Sequence, residues 1–141
     1  MPDPTSFPVL RLIDANANRA REGLRVLEDY ARFVVDDREI SSELKAIRHV
    51  LTASLRDTLV EAIQHRDTAN DVGTGNVAPT EMKRKGLPDV VTAAGKRLGE
   101  ALRAIEEYLK ISEPEKARVI ERMYQAAPSS PAVGSATAST G

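Results

Sequence analysis

The sequence predicts an all-α protein, a bundle of about four helices in which the two long helices are copies of one pattern. Apolar residues recur at alternating steps of four and three, the period of a packed helix. The period-two alternation of a β-strand is absent from the chain. The segment Ile13–Phe33 also returns 78 positions later as Val91–Ile111. We therefore expect the two long helices to be related by a pseudo-two-fold axis within a helical bundle.

Identical positions in the two copies of the repeat include six larger residues. These are Arg19/Arg97, Glu22/Glu100, Leu24/Leu102, Arg25/Arg103, Glu28/Glu106 and Tyr30/Tyr108. Helices that share one pattern of buried and exposed positions can pack on each other in equivalent ways. We therefore look for a ligand site where the copies meet and where they differ.

Composition excludes several classes of protein. The 141 residues suffice for one domain with a core, and the net charge of -1 indicates no nucleic-acid-binding surface. The absence of cysteine excludes thiolate metal sites, disulfides and cysteine catalysis, and two histidines are too few for a histidine-rich metal centre. No apolar run approaches the roughly 20 residues of a membrane span, and the N-terminus lacks a signal peptide pattern. We expect a cytoplasmic protein without a membrane partner.

The chain divides into three regions. Residues 1–9 hold three prolines and are predicted to be an irregular lead-in. Residues 10–126 carry the helical patterns and form the predicted domain. Residues 127–141 are rich in proline, serine and alanine, which predicts a disordered tail or a linker.

Two helices are predicted in the first half. The first runs from Leu10 to Val35, and its buried face is expected at positions 13, 17, 20, 24, 27, 31 and 34. Asp36 is predicted to cap the second helix, with Glu39 at the capping-box position. The second helix is expected to run from Arg38 to Gln64.

A long polar segment separates the two halves. His65–Thr80 contains glycines, asparagines and a proline, so it is predicted to be a loop. Glu81–Lys85 is predicted to form one helical turn. The third helix is expected to start with Pro88 in its first turn and to run to Ile111, and a fourth to end at Gln125.

A line of unusual residues lies within the apolar arc of the first helix: Asn16, Arg19 and Gly23. Burying an arginine is costly unless an anion or a carboxylate meets it, and a glycine inside a helix implies close approach by another group. Arg97 is the equivalent of Arg19 in the second copy. Two such guanidinium groups could clamp a phosphate. Asn18 corresponds to Lys96, so one half could hold a base and the other a phosphate chain.

A structural alternative stays open for these arginines. Arg19 and Arg97 could instead reach across to Glu106 and Glu28 in a symmetric network of ion pairs. Glu22 and Glu100 stand three residues after the arginines, which is the spacing of an ordinary helical ion pair.

The polar loop offers a second set of candidates: Arg66, Asp67, Asn70, Asp71, Gly73 and Thr74. Carboxylates can hold Mg²⁺, and a Gly-Thr turn can cradle phosphate oxygens. The Walker pattern is absent, because the turn lacks the lysine and the preceding strand. An ordinary polar surface loop explains the same composition.

Four stretches together carry a family resemblance: DANANRAREGLRVLEDYARFVVDD, LKAIRH, RDTANDVGT and KRLGEALRAIEEYLKI. They resemble the small helical domain at the N-terminus of some bacterial thiamine phosphate synthases, which is known as a monofunctional hydroxymethylpyrimidine phosphate kinase. The resemblance covers about residues 10 to 125.

The resemblance implies a reaction and its cofactors. ATP, with Mg²⁺, would phosphorylate 4-amino-5-hydroxymethyl-2-methylpyrimidine phosphate to the pyrophosphate in thiamine biosynthesis. It also implies that the chain is either a stand-alone kinase or the first domain of a fusion with thiamine phosphate synthase. Whether the site lies in one chain or between two chains of a homodimer stays open.

Matching the family segments to the physical pattern gives a set of site hypotheses. Arg19, Arg97 and Lys96 are assigned to the phosphates as the catalytic groups. Asp67 and Asp71 are assigned to Mg²⁺. The remaining assignments are Asn16, Asn18, Glu22 and Glu100 for substrate binding, and Arg66, Gly73 and Thr74 for ATP, the last two as a lid.

Two other functions fit the same pattern. A non-catalytic helical module that binds or tethers a thiamine-pathway partner would also need long amphipathic helices. Another all-α nucleotide enzyme, such as a pyrophosphohydrolase, would gather several carboxylates around Mg²⁺. The inward acids here alternate with arginines, which favours phosphate binding.

Overall fold

The computed structural model describes residues 7–75 and 83–126, and within these ranges it is all-helical. The helices are α1 Phe7–Asp29, α2 Arg38–Ser54, α3 Arg56–Ile63, α4 Leu87–Ser112 and α5 Pro114–Ala126. The predicted all-α class is confirmed. No helix in the described part of the chain has the length and apolar character needed to cross a membrane.

The central pair of helices, α1 and α4, runs antiparallel. Gly23 lies beside Ala94 in the middle of the pair, while Leu10 near the start of α1 shares a pocket with Ser112 at the end of α4. The two copies of the sequence repeat therefore pack against each other. The pseudo-two-fold axis itself remains a prediction.

The other helices flank this pair. Ion pairs join Glu28 of α1 to Arg48 of α2, and Asp14 of α1 to Arg66 just after α3. The α2–α3 segment is therefore antiparallel to α1. Helix α5 packs on α4 and also contacts α2, which closes the bundle.

The predicted buried face of α1 is confirmed as far as Ala31. Its buried members are Ile13, Ala17, Ala20, Leu24, Leu27 and Ala31. Beyond Asp29 the chain forms a π-helical segment, Tyr30–Val35. Its wider turn, with hydrogen bonds from i to i+5, departs from the 3.6-residue period. The burial predicted for Val34 is therefore wrong, because it is 46% exposed.

The cap of α2 is Asp37, and the prediction of Asp36 is wrong by one residue. The Asp37 carboxylate accepts a hydrogen bond from the Ile40 N–H at 3.0 Å. Asp36 has φ 58°, and its N–H donates to the Ala31 carbonyl to end the π-helical segment. Aspartate tolerates this left-handed conformation better than most residues do.

The single helix predicted over Arg38–Gln64 is interrupted at Leu55, whose φ and ψ are -106° and 7°. Two hydroxyl groups just before this point bond back to carbonyls one turn earlier: Thr52 to Arg48 at 3.1 Å and Ser54 to Val50 at 2.6 Å. Such bonds compete with the backbone ladder and bend helices. Leu55 itself stays fully buried.

The second half follows the prediction closely. Helix α4 has Pro88 in its first turn and extends one residue past Ile111, and α5 runs to Ala126. The predicted turn over Glu81–Lys85 is not helical at residues 83–85, and its first two residues lie outside the described ranges.

Candidate functional site

A hydrogen bond joins the side chains of Asn16 and Arg19 on α1. The Asn16 amide is buried and donates to the Leu12 carbonyl at 3.0 Å, and its oxygen accepts a bond from Arg19 Nη1 at 3.4 Å. Arg19 itself is exposed. The prediction of a buried arginine is therefore wrong, because the long side chain carries the guanidinium group to solvent.

Gly23 is explained by helix packing. A Cβ built at this position would lie 3.0 Å from the Ala94 carbonyl oxygen and 3.3 Å from the Leu98 Cβ. The group that approaches the backbone is thus α4. Helix packing therefore requires a glycine at this position, and no ligand is needed to explain it.

Arg97 and Lys96 lie exposed on α4. Since α1 and α4 are antiparallel and Gly23 faces Ala94 and Leu98, Arg97 lies near the level of Gly23, with Arg19 about one turn away. In the described chain neither arginine is ion-paired with a carboxylate. Both guanidinium groups therefore keep their charge available to a ligand.

The structural alternative for the arginines is wrong, because the glutamates have other partners. Buried Glu28 pairs with Arg48 at 3.1 Å, and buried Glu106 pairs with Arg103 at 3.4 Å. The partners come from α2 in one half and from α4 itself in the other.

Glu22 and Glu100, the two glutamates assigned to substrate binding, are exposed on α1 and α4. Asn18, which was also assigned to substrate binding, accepts a hydrogen bond from Arg21. Its side-chain amide nitrogen still offers a donor.

The ion pair between Asp14 and Arg66 was not predicted from the sequence, in which Asp14 lies outside the buried positions expected for the first helix. Both guanidinium contacts are short, 2.7 Å from Nε to Oδ2 and 2.8 Å from Nη2 to Oδ1. The hydrogen bond and the charge of Asp14 raise the pKa of Arg66. The only sequence signal is that Asp14 borders the buried face of α1, one residue from Ile13.

The loop after α3 is built from short side-chain turns. The Asp67 carboxylate accepts bonds from the Asn70 N–H and side-chain amide, at 3.2 and 2.8 Å, which lower the pKa of Asp67. Asp71 accepts from the Gly73 N–H at 2.8 Å, and the Thr74 hydroxyl donates to a loop carbonyl. Gly73 and Thr74 are both exposed, as a residue that closes over ATP must be.

The beginning of this loop is anchored to α1 at two points. Arg66 holds Asp14, and the His65 ring stacks on Phe7 with 3.8 Å between ring centroids. The arrangement brings Arg66 and Asp67 beside the first turns of α1, where Asp14 and Arg11 lie, whereas the contacts of Asp71 are within the loop.

The described residues contain no group of three or more histidine, aspartate or glutamate side chains that could hold a metal ion. Magnesium in phosphoryl-transfer sites is often bound by one or two carboxylates together with substrate phosphates. Asp71 is exposed, and one of its carboxylate oxygens accepts a hydrogen bond from Gly73. Its other oxygen could therefore bind Mg²⁺ together with substrate phosphates. Magnesium at Asp67 and Asp71 remains a prediction.

A pocket of about 170 Å³ lies at the start of α1, where Ile13 is next to the Asp14 that pairs with Arg66. It is enclosed by the start of α1, by α3 and by the junction of α4 with α5. None of the residues predicted for the site lines it.

Comparison with known proteins gives a family. The model of the ThiD2 family matches residues 11–127. A protein of Rhodopirellula baltica named thiamine-phosphate synthase is 45% identical over 122 residues, which are 86% of this chain and 32% of that protein.

Proteins of the same name from Synechocystis sp. and Gloeobacter violaceus are 42% and 44% identical, over 75% and 77% of this chain and 30% and 31% of theirs. The chain thus spans about a third of the length of these relatives. No solved structure matches it significantly.

Proposed function

Because the chain belongs to the ThiD2 family, we propose that it acts in thiamine biosynthesis. The observation that carries this proposal is the family match over residues 11–127, together with relatives named thiamine-phosphate synthase. The chain corresponds to about a third of those relatives. We therefore propose that it catalyses a step of the pathway other than the synthase reaction.

The step we propose is the ATP-dependent phosphorylation of 4-amino-5-hydroxymethyl-2-methylpyrimidine phosphate to its pyrophosphate. The acceptor oxygen belongs to a phosphate and is already anionic, so the reaction needs no strong base. It needs positive charge around the phosphates and an in-line arrangement of donor and acceptor. A site with arginines and without a catalytic histidine suits this chemistry.

Arg19, Arg97 and Lys96 supply the positive charge in this proposal. All three are exposed on the central pair α1 and α4, and in the described chain none is neutralised by a carboxylate. Guanidinium groups bind phosphate oxygens bidentately. Asn16 orients Arg19, since both polar groups of its amide are already engaged within α1.

The loop after α3 completes the proposed site. Arg66 keeps the start of the loop against α1, and Gly73 and Thr74 lie at its exposed end, where they can close over ATP. Asp67 and Asp71 are the residues that would hold Mg²⁺. Mg²⁺ held there would neutralise negative charge on the phosphate oxygens.

Variants of the arginines separate catalysis from stability. With the pyrimidine monophosphate, ATP and Mg²⁺, we expect Arg19→Ala and Arg97→Ala each to lower kcat/KM about 100-fold or more in a coupled ADP-release assay. Their free energies of unfolding should stay within about 0.5 kcal/mol of the wild type, because both side chains are exposed. Arg118→Ala, at an exposed position on α5, is the matched control and should keep full activity. Equal losses of stability and activity would assign the two arginines to the fold.

A second candidate function is a non-catalytic module that binds or tethers a thiamine phosphate synthase. The observation that favours it is that the relatives named thiamine-phosphate synthase are about three times as long as the matched segment. It predicts that the chain binds a synthase, forms no ADP and shows no change in the loop over residues 66–75 on adding ATP and Mg²⁺. Amide NMR shifts of that loop distinguish the two functions.

A further inference from the structure

The pocket beside the first turn of α1 has the size of one small ring. Its volume is about 170 Å³, and apolar side chains of Val9, Leu10 and Ile13 form one wall. A cavity of about 150 Å³ accepts benzene, whereas drug-sized ligands occupy roughly 300 Å³ or more. The pocket therefore suits a single ring or a group of similar size.

One side of the pocket is a hydrogen-bonded set of three residues that satisfy one another. Lys116 Nζ lies 2.8 Å from Glu113 Oε1, and the buried Thr58 hydroxyl donates to Glu113 Oε2 at 3.2 Å. Lys116 also donates to the Thr58 hydroxyl oxygen at 3.3 Å. The ammonium and one carboxylate thus neutralise each other.

The remaining charge of the pocket is negative. Asp57 and Glu61 also line it, one turn apart on α3, and neither carboxylate is hydrogen-bonded or ion-paired within the described chain. Counting Glu113 and Lys116 as neutral, the lining carries two uncompensated carboxylates. Helix α5 begins at this pocket, and the N–H groups of its first turn favour an anion. Two full charges outweigh that partial positive charge.

From the size, the apolar wall and the two unpaired carboxylates, we propose that this pocket binds a compact organic cation, a single ring that carries an amino or amidinium group. The ring packs on Val9, Leu10 and Ile13. Its N–H groups donate to Asp57 and Glu61, which are charge-assisted hydrogen bonds. The proposal does not depend on the kinase reaction, because none of the residues assigned to phosphates lines the pocket.

Three probes of similar shape test the charge preference. Benzamidine is a cation at neutral pH, benzamide is neutral and benzoate is an anion. Titrated into the full chain and followed by amide NMR, benzamidine is expected to shift Leu10, Thr58 and Glu113 in a saturable way. Benzamide should bind more weakly, and benzoate should leave these signals unchanged. Equal or tighter binding of benzoate, or no shift at these residues with benzamidine, would overturn the proposal.

Variants of the two carboxylates test the assignment of residues. Asp57→Asn and Glu61→Gln should each raise the Kd of benzamidine about threefold, and the double variant about tenfold, because exposed charge pairs are individually weak. Glu43→Gln, an exposed glutamate on α2 outside the pocket, is the control and should leave the Kd unchanged. Unchanged affinity in the double variant would contradict the proposal. Benzamidine binding and ADP release are separate readouts, so either proposal can fail alone.

Discussion

Replacing Gly23 with alanine tests how closely α1 and α4 pack. The added Cβ would meet the Ala94 carbonyl oxygen at 3.0 Å and the Leu98 backbone nitrogen at 3.4 Å. Both are backbone atoms of a rigid helix, so they cannot turn away as the end of a flexible side chain can. The helices must separate by a few tenths of an ångström along the centre of the core.

The expected cost combines two opposing effects. Overpacking a well-packed core costs typically 1–3 kcal/mol. Glycine to alanine within a helix gains about 1 kcal/mol from propensity. We therefore expect Gly23→Ala to lower the free energy of unfolding by up to about 2 kcal/mol, measured by urea denaturation followed by circular dichroism at 222 nm.

Gly99 provides the matched control on α4. A Cβ built there would lie 3.5 Å from the Tyr124 ring, which is an ordinary van der Waals contact. The propensity gain then acts alone, so Gly99→Ala should stabilise the protein by up to about 1 kcal/mol. If Gly23→Ala were as stable as Gly99→Ala, the close backbone contact between α1 and α4 would be refuted.

Three further predictions concern the polar contacts. Asp14→Asn breaks the ion pair with Arg66 and should lower the free energy of unfolding by about 1–2 kcal/mol. The loss is modest because the Arg66 side chain is 45% exposed and well screened. Amide exchange over residues 66–75 should become faster, and unchanged exchange would contradict the prediction. Asp37→Ala removes the α2 cap and should cost about 1 kcal/mol in urea denaturation. Hydrogen bonds from Asn70 lower the pKa of Asp67. The turn is therefore fully stabilised above the ordinary aspartate pKa and loses that stabilisation as pH falls through the lowered value. Followed by NMR, the Asp67 carboxyl group should titrate below the ordinary midpoint of about 3.9.

The helices were predictable because their buried residues repeat with the helical period. Leu24 and Leu27, like Leu102 and Ile105 in the second copy, fall at positions that the period alone assigns to the core. The period fails beyond Ala31, within the π-helical segment that changes the turn. No residue in YARFVV is a glycine or proline that would announce the change.

The burial of Glu28 and Asp14 was not predictable, because their partners are distant in sequence. Glu28 and Arg48 are 20 positions apart, and Asp14 and Arg66 are 52 apart. An acidic residue on a helix is ordinarily assigned to solvent, since only a partner makes its burial affordable. These partners come close to α1 only because α2 and α3 fold back along it.

The candidate site was predictable as a set of residue types more than as a geometry. The repeat singled out Arg19 and Arg97, and the structure brings their helices together. It also shows that the neighbouring Gly23 serves packing, which sequence could not separate from ligand binding. A glycine forced by a second helix and one forced by a ligand look the same in a chain.

The most direct test of the central claim is to follow the reaction itself by ³¹P NMR. Folded full-length protein is incubated with ATP, Mg²⁺ and the pyrimidine monophosphate. We expect ADP and a new pyrophosphate monoester to appear in equal amounts, and both to form about 100-fold more slowly with Arg19→Ala. An unchanged monophosphate signal with folded wild-type protein would contradict the kinase assignment and leave the non-catalytic module as the function of this chain.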